Sequence, residues 1–440
     1  MYVGGFDHHP TVVFRPTNAT DVARVVEAAA DSGAELAVRS GGHSSSGHGV
    51  SDGGITIDLS AMRSLEIDPE ARTARAETGL TAGEYTTAAG KYGLATGFGD
   101  AGTVGIGGIT TGGGVGFLSR RFGLTIDDVL SAEVVTADGR ILDVDSENHP
   151  DLFWAIRGGG GNFGVVTRFT YRLHDVPSAV GGMLVLPATP EVIDGLLAAA
   201  TTAPEELSVI ANVMTALPMP FIPEEHHGKL VVLALFCYAG NASDGEQALA
   251  PFRSLATPLA DMVRPITYPE MYPPAEEGFH PTAITRTGYA DTIDDTAIGT
   301  ILDGLTASTA AMRAVQIRPL GGAIDRVPAD ATAYAHRGRP FMVNVATFYD
   351  SPADRPERAK WATDLATALH NGADGAYVNF LDDDGGPHPR GLPRRHLGPA
   401  RRRQTPLRPG QPVPPQPQHR RCGQRVLTPR REHLGRGNRA

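Results

Sequence analysis

Three glycine-bearing segments hold the residues best suited to gripping an anionic ligand. The first is Arg39-Ser40-Gly41-Gly42-His43-Ser44. Leu36–Arg39 reads as a strand that delivers a turn, and the two glycines let backbone N–H groups approach an anion closely, which suits a pyrophosphate. The same residues read equally well as an ordinary turn carrying a surface histidine. The second segment runs from Gly105 to Gly116 and places seven glycines in twelve positions. Glycine's entropic cost disfavours regular helix or strand there, and close backbone approach to a ligand is the better explanation. A flexible linker is opposed by the interleaved Ile106, Ile109, Thr110 and Val115, which ask to be packed. The third segment, Arg157 to Thr167, contains a formal G-x-G-x-x-G at Gly159, Gly161 and Gly164. A dinucleotide site of the Rossmann type needs a helix after those glycines and an acidic residue about 20 positions on. An apolar strand follows instead, and no Asp or Glu lies near position 184, so that reading is rejected.

A fourth segment, Ala376-Tyr377-Val378-Asn379-Phe380, reads as a strand whose alternation puts Tyr377 and Asn379 on one face. From the residues alone, Tyr377 is either a catalytic phenol or a tyrosine packed in a sheet with its hydroxyl satisfied.

The elements that must position these residues follow from pattern. Residues 11–60 read as strand, helix, strand, loop, strand, with Asp21 capping a helix Val22–Ala30 that stops at Gly33. Ala82–Gly93 reads as a helix, Ala132–Val144 as a hairpin turning at Asp138-Gly139, Pro150–Ile156 as a short helix and Val165–Leu173 as a strand. Beyond residue 178 the glycine clusters thin out. Strands are expected at Leu230–Tyr238 and Phe341–Tyr349, and helices at Pro190–Ala200, Thr296–Ser308 and Pro356–His370. The expectation is an α+β chain with a cofactor domain over 1–177 and a second domain over 178–386, in which helices cover a sheet.

Composition narrows the function classes. Two cysteines, Cys237 and Cys422, allow no disulfide framework or cysteine-based zinc site, and no metal site is expected. Met1–Pro10 lacks the basic and apolar regions of a signal peptide, and no apolar run approaches the roughly 18 residues of a membrane span. A reducing, cytoplasmic setting is expected, with no membrane partner. From Pro387 to Ala440 the chain carries 14 arginines and one acidic residue, Glu432, whereas the other 386 residues carry 25 basic and 48 acidic groups. So acidic a body argues against a nucleic-acid surface.

Together the three glycine segments resemble the FAD-binding (PCMH-type) domain of the vanillyl-alcohol-oxidase type, and more closely its berberine-bridge-enzyme-like branch. That branch includes bacterial hydroxynicotine, aclacinomycin and oligosaccharide oxidases, and the resemblance runs from about Gly5 to Gly386. It implies a two-subdomain FAD-binding domain, with a second α+β domain whose antiparallel sheet is covered by helices and which binds the substrate. It also implies that His43 bonds the flavin 8α-methyl carbon while the loop Arg39, Ser40, Gly41, Gly42 and Ser44 holds the pyrophosphate. Thr103, Val104, Gly105, Gly107, Gly108, Thr110, Gly113, Gly164 and Val165 would lie along the cofactor. Many members add a cysteinyl link from G-x-C-P-T-V-G. Here the stretch is Gly99-Asp100-Ala101-Gly102-Thr103-Val104-Gly105, and Ala101 forms no thioether, so a single link is expected, with a smaller or less exposed substrate. Val104 falls where relatives govern oxygen access, and valine there goes with oxidase behaviour. Gly321–Ile324 and Ala331–Arg337 also fit the family, with His336 read as structural. In relatives the tyrosine of Y-x-N faces the flavin and acts as base, which points to Tyr377, positioned by Asn379. The implied reaction is oxidation of a C–H bond next to oxygen or nitrogen in a small molecule, with hydride passing to flavin N5 and dioxygen reduced to hydrogen peroxide. The alternatives are a dehydrogenase with another acceptor, or a non-catalytic product of a damaged reading frame.

The arginine–proline tail fits that last idea. As a protein segment it reads as a disordered basic arm. Leu407–His419, written with suitable codons and read from the second base, becomes Tyr-Asp-Pro-Gly-Asn-Leu-Phe-Arg-Leu-Asn-His-Asn, which resembles the family's C-terminal signature. A frame shift near Asp384–Pro387 is the expectation, leaving 387–440 out of frame in place of a helix that packs on the FAD domain. Sequencing the gene there tests it. At the other end, Val3-Gly4-Gly5-Phe6-Asp7 resembles the middle of a family motif, so residues are expected to be missing before it.

Overall fold

The computed structural model describes residues 4–273, 280–372 and 375–382, so the tail lies outside the described residues. Two sheets build the first part of the chain. A parallel three-stranded sheet takes the order Val12–Phe14, Ile55–Asp58, Leu36–Arg39. The helix Ala19–Ser32 packs Val22, Val25 and Val26 against Ile57 of this sheet and against Val135 and Val165 of the next. Its start differs from the expectation. Asn18 is the cap, its side chain accepting from the Asp21 N–H, so the helix opens one turn earlier. Gly33 ends it as expected, in the left-handed conformation that glycine adopts without steric cost.

The second sheet is antiparallel and five-stranded, ordered Leu65–Asp68, Thr73–Glu77, Val165–Arg172, Val129–Val135, Ile141–Val144. The expected hairpin is its far edge, turning at Gly139. The helix Ala82–Gly90 covers it through Tyr85, whose ring meets Phe98 and Tyr171 edge-on at 4.9 and 5.6 Å. Three residues of turn then carry the chain to Gly93, so the helix is shorter than its pattern.

Among the described residues, every strand from Ala179 onward joins one antiparallel sheet. Its main path is Ala260–Asp261, Ala179–Pro187, Leu230–Tyr238, Leu207–Thr215, Arg313–Pro319, Phe341–Phe348, Ala283–Ala290. Helices Pro190–Thr202, Ala242–Arg253, Asp295–Ala307 and Arg355–Leu369 bury one face of it, in a core rich in Val, Leu and Ile. The opposite face meets the first part of the chain. Tyr289 and Met342 of the sheet cluster with Val115, Leu124 and Tyr377. Among the described residues no helix is long and apolar enough to cross a membrane.

Candidate active site

The loop after strand Leu36–Arg39 and the glycine run at 105–116 meet backbone to backbone. A Cβ on Gly41 would lie 2.2 Å from the Gly105 nitrogen, and one on Gly105 would lie 2.1 Å from the Gly41 nitrogen. Only two glycines permit this contact. Ser40 bolts it in place: its hydroxyl donates to the Thr78 carbonyl at 2.5 Å and accepts from the Gly107 N–H at 3.3 Å. Behind Ser40, Arg39 lies 3.9 Å from Asp58, a buried carboxylate that Arg15 and Ser60 also bind, and these contacts keep Asp58 below its usual range against the opposing effect of burial.

The expectation that residues 105–116 avoid regular structure is corrected. Ile106–Thr111 is a short α-helix despite Gly107 and Gly108. Ile106 and Ile109 are buried in the core under the five-stranded sheet, and that packing outweighs glycine's poor propensity. At Gly107 a Cβ would sit 3.0 Å from the Thr78 side chain, so any larger residue would press on Thr78 and Ser40. Gly108 has the opposite surroundings. It is exposed, and no atom lies within 4 Å of where its Cβ would be.

His43 stands half-buried beside this helix. Burial lowers its pKa to about 4, although a hydrogen bond with the Thr103 backbone and the Asp100 charge pull the other way. Its imidazole is therefore neutral at ordinary pH. The remaining expected residues divide. Ser40, Gly41, Gly42, His43 and Ser44 share one loop, in which Gly41 meets Val104 and Gly105, Ser40 meets Gly107, and His43 bonds the Thr103 backbone. Thr110 instead turns into the core, fully buried, with its hydroxyl 2.8 Å from that of Tyr171. Gly164 and Val165 start a sheet strand, where a Cβ on Gly164 would meet the Val135 carbonyl at 2.6 Å.

Tyr377 and Asn379 do come together, but not on a strand. Val378–Phe380 is a single turn of 3-10 helix, and it brings the Asn379 amide 3.0 Å from the Tyr377 hydroxyl. That phenol oxygen also accepts the N–H groups of Gly114 at 3.0 Å and Val115 at 3.1 Å. Burial raises the Tyr377 pKa, opposed by these hydrogen bonds and by the Arg318 charge, so the phenol keeps its proton at neutral pH. The Asn379 amide donates onward to the Ile109 carbonyl at 3.1 Å, and Gly113 packs on Tyr334 and Tyr377. Four contributors escaped the sequence reading. Ser45 and Ser46 both donate to the Leu381 carbonyl, at 2.7 and 2.5 Å. Thr111 accepts from Gly158 and Gly160, both at 3.0 Å, which ties the second glycine segment to the third. Arg318, buried, donates to Asp100 at 2.6 Å and lies 5.1 Å from the Phe380 ring centre. The triple serine after His43 was the one available signal; the others are tertiary. His336 is buried and stacks on Tyr289 at 4.4 Å.

These residues fit FAD. The buried Nε of Arg39, next to the Ser40-Gly41-Gly42 turn, has no hydrogen-bond partner among the described residues. The exposed side of Gly108 is open backbone of the kind a bulky ligand needs. Ser40 and Thr110 would hold it only through backbone, because their hydroxyls are spent internally.

Comparison with known proteins agrees. Residues 10–145 match a family model described as an FAD binding domain. An FAD-linked oxidoreductase of Dictyostelium discoideum is 29% identical over 85% of this chain and 81% of its own length. The (R)-6-hydroxynicotine oxidase of Paenarthrobacter nicotinovorans is 34% identical over 60% of this chain and 56% of that one. Among solved structures, 6-hydroxy-D-nicotine oxidase from Arthrobacter nicotinovorans superposes with a TM-score of 0.76 at 26% identity, covering 86% of this chain and 85% of the other. The berberine-bridge-enzyme-like protein 28 of Arabidopsis thaliana gives 0.75 at 26%, covering 85% and 81%. The fold is thus α+β with a PCMH-type FAD-binding part, and the chain is an FAD-linked oxidoreductase that resembles the berberine-bridge-enzyme-like and hydroxynicotine oxidase proteins in sequence and structure.

Proposed function

We propose that the chain oxidises a C–H bond next to oxygen or nitrogen in a small organic substrate, using FAD held by one covalent bond from His43 to the flavin 8α-methyl carbon. The observation that carries the reading is the neutral imidazole of His43 beside two glycine loops in backbone contact. When bound, FAD would supply the oxidising power: a two-electron acceptor for the substrate hydride that dioxygen could reoxidise with release of hydrogen peroxide. The residues of this chain bind and orient. Arg39 and the 41–44 backbone would take the pyrophosphate and Gly108 would leave room, while Tyr377 with Asn379 fixes the 109–115 backbone that would flank the flavin. Because the Tyr377 phenol is protonated and already accepts three N–H groups, its contribution is positioning in this state; a base role requires its proton to leave first. Residues 1–177 serve as the FAD-binding domain and 178–386 as the substrate domain, a division supported by the strands from Ala179 onward sharing a sheet of their own.

The tether is tested by His43→Ala. FAD still loads through the loops, but acid precipitation leaves all of it in the supernatant, whereas the parent pellet keeps its flavin fluorescence. Flavin retained in the variant's pellet refutes a single link. The pH dependence carries a sign. An ordinary imidazole is half-protonated near pH 6.5, but His43 keeps its lone pair until pH falls through about 4. Covalent attachment of FAD to apoprotein is therefore expected to run at a constant rate from pH 8 down to 5.5. A fall centred near 6.5 would show an unperturbed histidine. Stopped-flow reoxidation of the reduced protein by dioxygen tests the oxidase half-reaction: failure to react leaves a dehydrogenase.

A further inference from the structure

The sheet face that meets the FAD part carries a row of amide and hydroxyl side chains. Asn212 pairs directly with Gln316, Gln316 with Asn344, and Asn344 with Thr287, so the four side chains line up across four strands on one face. Half of the row is locked. Gln316 donates to Asn212 at 2.9 Å and accepts from Arg318 at 2.8 Å, while Arg318 pairs with Asp100. The other half is open: the Asn344 carbonyl oxygen and the Thr287 hydroxyl are shielded yet have no hydrogen-bond partner among the described residues. Unmet polar atoms of this kind are destabilising unless something binds them. Both residues are partly exposed although these two atoms are covered, so a ligand meets either atom once its side chain rotates. The next row along the same face is Arg318, Met342 and Tyr289, which abuts the cofactor part, and Phe380 lies beside Thr285, whose hydroxyl donates to its carbonyl.

We propose that Thr287 and Asn344 are the substrate-recognising pair, and that they select a neutral ring compound bearing at least two hydroxyl groups. Thr287 offers a hydroxyl that donates and accepts, and Asn344 an amide oxygen that accepts an O–H. Phe380, partly exposed, supplies an apolar flank for the ring. Charge decides against an amine. On this face of the four strands the single charged side chain is Arg318, and the carboxylate of Asp100 is already spent on it, so no free anion waits for a cation. The Arg318 charge is equally spent, so a carboxylate finds no partner. The inference rests on the FAD reading above, because it takes the substrate to lie between this face and the flavin.

The test is anaerobic titration of the flavin-loaded full chain with phenyl β-D-glucopyranoside and D-glucose as neutral probes and benzylamine as a cationic one. The neutral probes are expected to perturb or bleach the flavin absorption, and benzylamine to do neither. Thr287→Val and Asn344→Leu should each raise the half-saturating concentration of the neutral probe about tenfold, and Thr287→Ser should restore it, with the flavin spectrum and content unchanged throughout. The proposal is overturned if benzylamine acts at lower concentration, if neither neutral probe acts, or if both apolar variants stay within about twofold of the parent. A chain that purifies without flavin and cannot be loaded overturns the FAD reading first; a loaded chain that ignores the neutral probes overturns this inference alone.

Discussion

Gly105→Ala is expected to abolish FAD loading. Its Cβ would lie 2.1 Å from the Gly41 nitrogen, 2.3 Å from the Ser40 hydroxyl and 2.7 Å from the Gly41 Cα. Two of those three atoms are backbone, so no side-chain rotation relieves the clash. Nor is there room on the other side, where Ile106 donates to the Leu80 carbonyl at 3.0 Å and Ala82 to the Val104 carbonyl at 2.8 Å. The only escape is to part the His43 loop from the helix start, and this destroys the cradle. Overpacking a core costs about 1–3 kcal/mol, and a backbone–backbone clash belongs at the top of that range or above it. Bound flavin per chain should fall at least tenfold, with a lowered melting temperature. Gly108→Ala is the informative partner. Nothing within 4 Å opposes its methyl, and alanine gains about 1 kcal/mol of helix propensity, so the apoprotein should be no less stable. Its flavin content should drop nonetheless, because the methyl enters the open side. Equal flavin content in Gly105→Ala and the parent would sink the contact as the basis of the site.

Tyr377→Phe is expected to be the most costly change of a single atom. It removes the common acceptor of the Gly114 N–H, the Val115 N–H and the Asn379 amide. The site is buried, so water cannot readily replace the oxygen. An unmet buried donor costs about 1–3 kcal/mol, and partial relaxation of the three brings the total to about 3 kcal/mol. Differential scanning calorimetry of the apoprotein should show a melting point lower by roughly 5 °C. A loss of activity at unchanged stability would instead assign the hydroxyl to chemistry.

Local features were the readable part. Gly33 ends its helix, Gly139 turns its hairpin, and the long strands and helices after residue 178 lie within a few residues of their patterns, because each depends on neighbours in sequence. The site was legible where one residue type permits one geometry, as at Gly41 and Gly105. It failed where packing from elsewhere decided. The helix at Ile106–Thr111 forms because a remote core wants its isoleucines, which no count of glycines reveals. Tyr377 and Asn379 converge through a tight turn that lets both reach the 109–115 backbone, whereas alternation alone suggested a strand. Asp100 and Arg318 are 218 positions apart, and no spacing rule joins them.

The stitches between the first loops and the last described segment also set an order of events. Ser45 and Ser46 close on the carbonyl of Leu381 across 336 and 335 residues, and Asn379 reaches Ile109 across 270. A ribosome adding about 5–20 residues per second needs roughly 20–70 s to travel from the His43 loop to its fastener. During that interval the His43 loop lacks the two serine fasteners that tie it to the Leu381 carbonyl. If the tether proposed from His43 forms, its attachment would follow synthesis of the segment around Leu381, and a late pause or error would be felt at a histidine made more than 300 residues earlier.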